Sequence, residues 1–163
     1  MTAAAQVQLA LFTVGGQELA LDIMRIKEIV NPLPVTPVPR APAFVEGVAE
    51  LRGAIFPILD LRKRLGLPVP PPSSATKVLL LPLAGQTVGL VVDAVREVVR
   101  VARAELRPPP ALAPLGAGGA GPPLSAVCHL GGKIIMVLDI ERVLSPEEAL
   151  ALSGAAPGGA GGA

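Results

Sequence analysis

Cys128 and His129 are the one nucleophile–base pair in the 163-residue chain, and their spacing works against them. In a strand, adjacent side chains point to opposite faces, so neighbours cannot form the hydrogen-bonded dyad that activates a thiolate. With one cysteine and one histidine in the chain, a zinc ion would have to draw its other ligands from carboxylates, and no spacing suggests such a set. The two residues read as a buried thiol beside a partly exposed imidazole. Asp22, Asp60, Asp93 and Asp139 are the aspartates from which an acid–base pair would be drawn. Asp60 and Asp139, however, recur at the ends of two similar apolar runs, where a carboxylate caps a helix. The glycine-rich "GAGGAG" (116–121) lacks the Lys-Ser/Thr that completes a phosphate loop. No catalytic residue, metal site or cofactor is expected.

Two other ionisable side chains sit within apolar surroundings: Glu28 in "RIKEIV" and Arg52 in "AELRGAIF". They are either solvated charges at strand edges or a mutual ion pair that shapes a docking surface. Composition alone favours the first. Gly47 and Gly53 flank this region and suit tight backbone geometry.

The composition narrows what such a surface binds. Hydrophobic residues make up 51% of the chain and charged ones 17%, so one domain with a sizeable core is expected. Aromatics are 2%, with no Trp or Tyr, so Val, Leu, Ile and Ala must supply the core. A net charge of +1 gives no clustered basic face for a phosphate backbone, and RNA readers need stacking aromatics. Nucleic acid is therefore not an expected partner, and a small-barrel RNA-binding protein is the weaker alternative. The most apolar stretch, 77–99, is broken by Pro82, Gly85, Gln86, Thr87, Asp93 and Arg96. It falls short of the roughly 20 apolar residues that span a bilayer, so no direct membrane insertion is expected. The N-terminus has no basic region ahead of its apolar residues, and a lone cysteine suits a reducing compartment. A cytoplasmic location is expected.

The elements that position these residues come in two copies. "FTVGGQELALDIMRIKEIV" (12–30) aligns with "LPLAGQTVGLVVDAVREVV" (81–99) at a shift of 69, matching Gly16 to Gly85, Leu21 to Leu90 and Glu28 to Glu97. "GAIFPILDLRKRL" (53–65) aligns with "GKIIMVLDIERVL" (132–144) at a shift of 79, matching Gly53 to Gly132 and Asp60 to Asp139. The added length falls in the Pro/Gly-rich stretch 107–125, read as an enlarged loop. Glycine turns between apolar runs predict hairpins pairing 9–14 with 18–23 and 78–83 with 87–92. "AIFPIL" and "KIIMVL" are apolar on both faces and suit strands buried on both sides. Short strands with frequent turns predict small closed barrels, which leave no free edge. Each copy alone would be marginal, so the two are expected to share a core. The first barrel is expected mainly from 12–66 and the second mainly from 77–144, with room for terminal segments to be exchanged. "LPVPPPSS" (67–74) reads as a stiff spacer between copies, 145–153 as a short helix and 154–163 as a disordered tail.

With the motifs in place, the stretch 34–67, with its apolar-Arg-Gly turn and a strand ending in Asp-Leu, resembles the CheW-like domain of bacterial chemotaxis coupling proteins. The likeness runs over 8–150. It implies a mainly β fold of two five-stranded SH3-like barrels related by internal duplication, with short helices and a C-terminal helix. It also implies a non-catalytic adapter joining the chemoreceptor cytoplasmic tip to the regulatory domain of a CheA-type histidine kinase. Arg52 and Glu28 match the family's arginine and glutamate, implicated there in an ion pair and in partner binding. Gly47, Gly53, Asp60 and Asp139 stand at structural positions. A receptor tip is a helical hairpin, so the expected mode is a helix in a groove where the barrels meet. Ile26 and Val30 of "RIKEIV", with Val98 and Val99 of "REVV", are the residues expected to line it. Glu50 departs from the neutral residue usual before the Leu-Arg-Gly turn, and the Pro/Gly-rich loop 107–125 departs from the family pattern as well. The alternative function is a regulatory CheW-like module serving gliding, pili or development.

Overall fold

Glycine turns organise the chain into hairpins. The computed structural model describes residues 5–83, 85–110, 123–144 and Glu148. Strand β1 (Gln6–Val14) pairs with β2 (Gln17–Asp22), β4 (Val45–Leu51) with β5 (Ala54–Asp60), β6 (Lys77–Leu83) with β7 (Gln86–Val92), and β9 (Leu124–Leu130) with β10 (Lys133–Leu138). The single strands β3 (Glu28–Val30) and β8 (Ala94–Ala102) complete the set. Gly15–Gly16, Arg52–Gly53 and Gly131–Gly132 all have positive φ at both turn positions, the backbone that two-residue hairpins require to match strand twist.

The strands form two sheets of five, ordered β8-β1-β2-β10-β9 and β3-β6-β7-β5-β4. Exchanging the copies, β1 for β6 and so on, turns one order into the other, so the duplication read in the sequence is a duplication of architecture. Each sheet curls shut. Thr36, just beyond β3, exchanges two hydrogen bonds of 2.8 Å with Val48 of β4. Arg107, beyond β8, does the same with Val127 of β9 at 2.8 and 2.9 Å. One bridge closes each sheet in this way and covers the middle of what would otherwise be an open edge strand.

The division of the barrels at the spacer needs correction. Hairpin β1–β2 of the first copy sits beside β8, β9 and β10, and hairpin β6–β7 of the second sits beside β3, β4 and β5. Parallel pairs hold both exchanges in place, Met136 to Leu19 and Ile58 to Gly89 among them. The chain therefore crosses between barrels at 23–27 and at Asp93. The proline-rich spacer bridges nothing, because it joins α1 (Leu61–Leu65) to β6 within one barrel.

Burial follows from this arrangement. Ala49, Phe56, Ile58, Val78 and Leu80 fill one barrel, and Val7, Leu9, Leu11, Ala20, Val101, Cys128, Ile135 and Val137 fill the other. A third, larger cluster, which includes Phe12, Leu21, Leu59, Leu79, Leu90 and Leu138, lies between them. This explains the two-sided apolar runs: Phe56 and Ile58 face their own barrel while Leu59 faces the shared core. The expectation fails at the outer ends of both runs, where Ile55 and Ile134 project past the contact and are 55% and 60% exposed. Most of the enlarged loop, the helix expected at 145–153 except for Glu148, and the tail 154–163 lie outside the described residues.

Candidate functional site

Arg52 occupies the first position of the β4–β5 turn with φ +52°, one of two non-glycine residues in the described chain with positive φ. The constraint is steric: Leu51 and Ala54 pair across the turn, leaving only two residues to reverse the chain. Gly53 relieves the second position, and Arg52 carries the strain of the first. From there its guanidinium reaches Glu28 on β3 in a two-pronged contact, Nη1 donating to Oε1 at 2.8 Å and Nη2 to Oε2 at 2.7 Å. Strand β3 is fixed for this by Lys27 N, which donates to Leu80 O at 2.7 Å, and by the register of Glu28 against Leu80. Arg52 remains largely exposed and Glu28 about one-third exposed. The hydrogen bonds from Arg52 hold the Glu28 carboxyl below its ordinary range, and Glu28 in turn raises Arg52. In the second copy the equivalent turn position is Gly131, so Glu97 has no arginine to meet there. The pair belongs to one barrel only.

Gly47 supports this surface from beneath. Between Val45 and Gly47 the β4–β5 register slips by one residue, a bulge that turns Glu46 out to Lys63 at 2.8 Å. A Cβ on Gly47 would lie 2.1 Å from the Thr36 carbonyl oxygen, so no side chain fits without moving the strand. Asp60 caps α1, accepting from Arg62 N at 2.9 Å, and Asp139 caps its counterpart, accepting from Glu141 N at 3.1 Å.

Sequence reasoning missed Arg62. Asp60 is 2% and Arg62 7% exposed. The guanidinium grips Asp60 through Nε at 2.8 Å and Nη2 at 3.0 Å, and donates from Nη1 to Asp93 at 2.9 Å. Asp93, at the crossing between barrels, also accepts weakly from Gly16 N at 3.4 Å. The hydrogen bonds to Asp60 lead in holding Arg62 more firmly protonated than usual. At the equivalent place in the other copy the charges are reversed: Glu141 pairs with Arg25, largely exposed. The one hint in sequence is that Arg62 and Glu141 are opposite charges at matched positions.

The residues expected to line one groove do not do so together. Ile26 packs on the shared core, Val30 on the core of one barrel and Val99 on that of the other. Val98 alone is turned outward, 50% exposed, and it belongs to the other sheet from Glu28 and Arg52. The outward apolar residues that pattern reading missed include Met24, Ile29, Ile55 and Ile134. Cys128 is buried while His129 is exposed, and burial pushes the thiol up. Among the described residues no group of three or more His, Cys, Asp or Glu could hold a metal, and no helix is long and apolar enough to cross a membrane.

A family model for the CheW-like domain matches residues 8–148. The chain belongs to the CheW-like family. The chemotaxis protein CheW of Rhizobium meliloti is 34% identical, over 86% of this chain and 89% of that one, and the CheW of Klebsiella aerogenes is 35% identical over 85% and 81%. Protein FrzA of Myxococcus xanthus is 29% identical over 82% of each. The crystal structure of the scaffolding protein TtCheW from Thermoanaerobacter tengcongensis superposes with a TM-score of 0.78 at 26% identity, covering 88% of this chain and 96% of that one. CheW-like proteins are scaffolds and adapters, and this chain shares their paired five-stranded barrels.

Proposed function

We propose that this protein is a non-catalytic adapter that couples the cytoplasmic tips of chemoreceptors to the regulatory domain of a CheA-type histidine kinase. The observation that carries the reading is the Glu28–Arg52 pair, built on one of two equivalent barrels at the cost of a strained backbone. Strain of this kind persists where surrounding structure over-determines it, and it clusters at functional sites. A planar guanidinium held two-pronged is a fixed surface feature rather than a sweeping side chain, which suits an interface anchor. The kinase regulatory domain docks on this barrel, and the receptor helix docks near the junction of the two. Joining the partners raises their effective concentration, and an adapter needs no other chemistry. The protein works in the cytoplasm, recruited to membrane-associated receptor arrays.

The test is kinase autophosphorylation in the presence of cognate receptor fragments, with and without the protein, and then with Arg52→Ala. A rise that depends on the protein and fails with the variant supports coupling. No rise from any cognate pair, with the protein folded, rejects it. The likeness to FrzA, which bears a different name from the chemotaxis relatives, favours a second reading in which the module serves gliding, pili or development. A rise obtained only with the kinase and receptor of such a pathway decides for it.

A further inference from the structure

On the outer face of the β8–β1–β2 barrel lies a hollow of about 320 Å³, on the other sheet from the Glu28–Arg52 pair. Its floor is β1, where Gln8 stands opposite Arg100 of β8. Arg100 and Arg103 form one wall, and Asp22, Ile23 and Met24 form the other, at the crossing from β2 to β3. Arg96 on the same strand is matched by Glu18 at 3.4 Å, but neither Arg100 nor Arg103 has an acidic partner among the described residues. The rims are apolar: Met24 is 86% exposed, and Val98, two residues before Arg100 on the same face of β8, is 50% exposed. The volume is at the bottom of the range for ligand clefts, about 300–1,000 Å³, which suits inserted side chains rather than a cofactor.

We infer that this hollow takes a carboxylate side chain from an amphipathic helix of the partner, with Arg100 and Arg103 on the acid and Met24 and Val98 on flanking apolar residues. The inference rests on the adapter reading and names the helix's chemistry: a Glu or Asp with aliphatic residues three or four positions away, on the face that meets β8. Asp22 decides between anions. It faces the same hollow with its Oδ1 accepting from Met24 N at 2.9 Å, and its charge leaves the lining with a surplus of a single positive charge. That surplus fits one carboxylate and disfavours a phosphate of higher charge. The outcome is selection: the two arginines admit helices with an acid at that place and reject those with a lysine.

The experiment measures binding of the full chain to a fragment of the cognate receptor tip and, separately, to the kinase regulatory domain. Wild type is expected to bind the receptor fragment about tenfold more weakly at high salt than at low. Arg100→Glu with Arg103→Glu is expected to weaken receptor binding at least tenfold and leave kinase binding unchanged. A receptor fragment with its facing acids changed to lysine is expected to restore binding to that double variant. Arg100→Gln with Arg103→Gln, checked by circular dichroism, guards against misfolding. If wild type binds the receptor and both double variants bind within twofold of it, the carboxylate site is overturned while the adapter reading stands. If wild type fails to bind any receptor tip, both fall. Loss of binding to anionic phospholipid vesicles or to RNA, with receptor binding intact, also overturns it.

Discussion

Arg52 carries a backbone that any residue with a Cβ adopts at a cost of about 1–2 kcal/mol, while the equivalent turn in the other copy spends glycine there. Arg52→Gly therefore separates fold from function. Relief of the strain is offset by the greater freedom of glycine in the unfolded chain, so stability should stay within about 1 kcal/mol of wild type. Partner binding should fall as far as with Arg52→Ala. A large drop in melting temperature would make the arginine structural. Gly47 predicts the opposite pattern. Gly47→Ala drives a methyl group into the Thr36 carbonyl, and a loss of about 3 kcal/mol or more is expected by chemical denaturation. The ion pair also has a pH signature. Because folding depresses the Glu28 carboxyl, the pair's contribution is present above the ordinary carboxylate range and disappears as pH falls through the lowered folded value. NMR titration should find Glu28 below a typical glutamate and shift it upward in Arg52→Ala.

At the scale of elements, α1 and its counterpart turn make the same kind of tie with reversed charges and unequal burial. Removing a guanidinium from between Asp60 and Asp93 leaves two nearby carboxylates in a buried setting, so Arg62→Met should cost about 3–5 kcal/mol. Arg25→Ala breaks an exposed pair and should cost about 1 kcal/mol or less. Equal losses from the two variants, measured by urea unfolding, would refute the contrast. The contrast also shows what sequence pattern leaves hidden. Hairpin turns, capping aspartates and paired repeats were legible because each rests on residues close in the chain: a glycine at a turn, an aspartate at a strand end. In "LRKRL" three basic residues share five positions, and no periodicity in one and a half turns says which of them points inward. Ile26, Val30 and Val99 failed for a related reason. Each of the three finds a different apolar cluster to pack on, and spacing along the chain does not say which.

The whole molecule depends on the hairpin exchange, which the repeats left open rather than settled, because β1–β2 and β6–β7 have nearly the same alternation and alternation alone does not say which sheet takes which hairpin. Segments 1–74 and 75–163 made separately should remain largely unfolded, since each lacks two of the five strands of a barrel. Mixed together they should regain strand signal by circular dichroism. Independent folding of either half would rule out the exchange as the source of stability. The intact chain should melt in one calorimetric transition, because the shared cluster draws on both barrels.

The exchange also bears on how such a chain arose. A single repeat has a hairpin that fits beside the other three strands of another repeat, and two separate copies would satisfy both hairpins by trading them, as domain-swapped dimers do. Fusion of two identical genes would turn that trade between molecules into one within a molecule and abolish the exact two-fold symmetry. Positions once bound to change in pairs then became free to differ. Arg52 and Gly131 are such a pair, in which one position carries a task that its twin does not share, and Arg62 and Glu141 are another, in which the same tie is kept with its charges reversed.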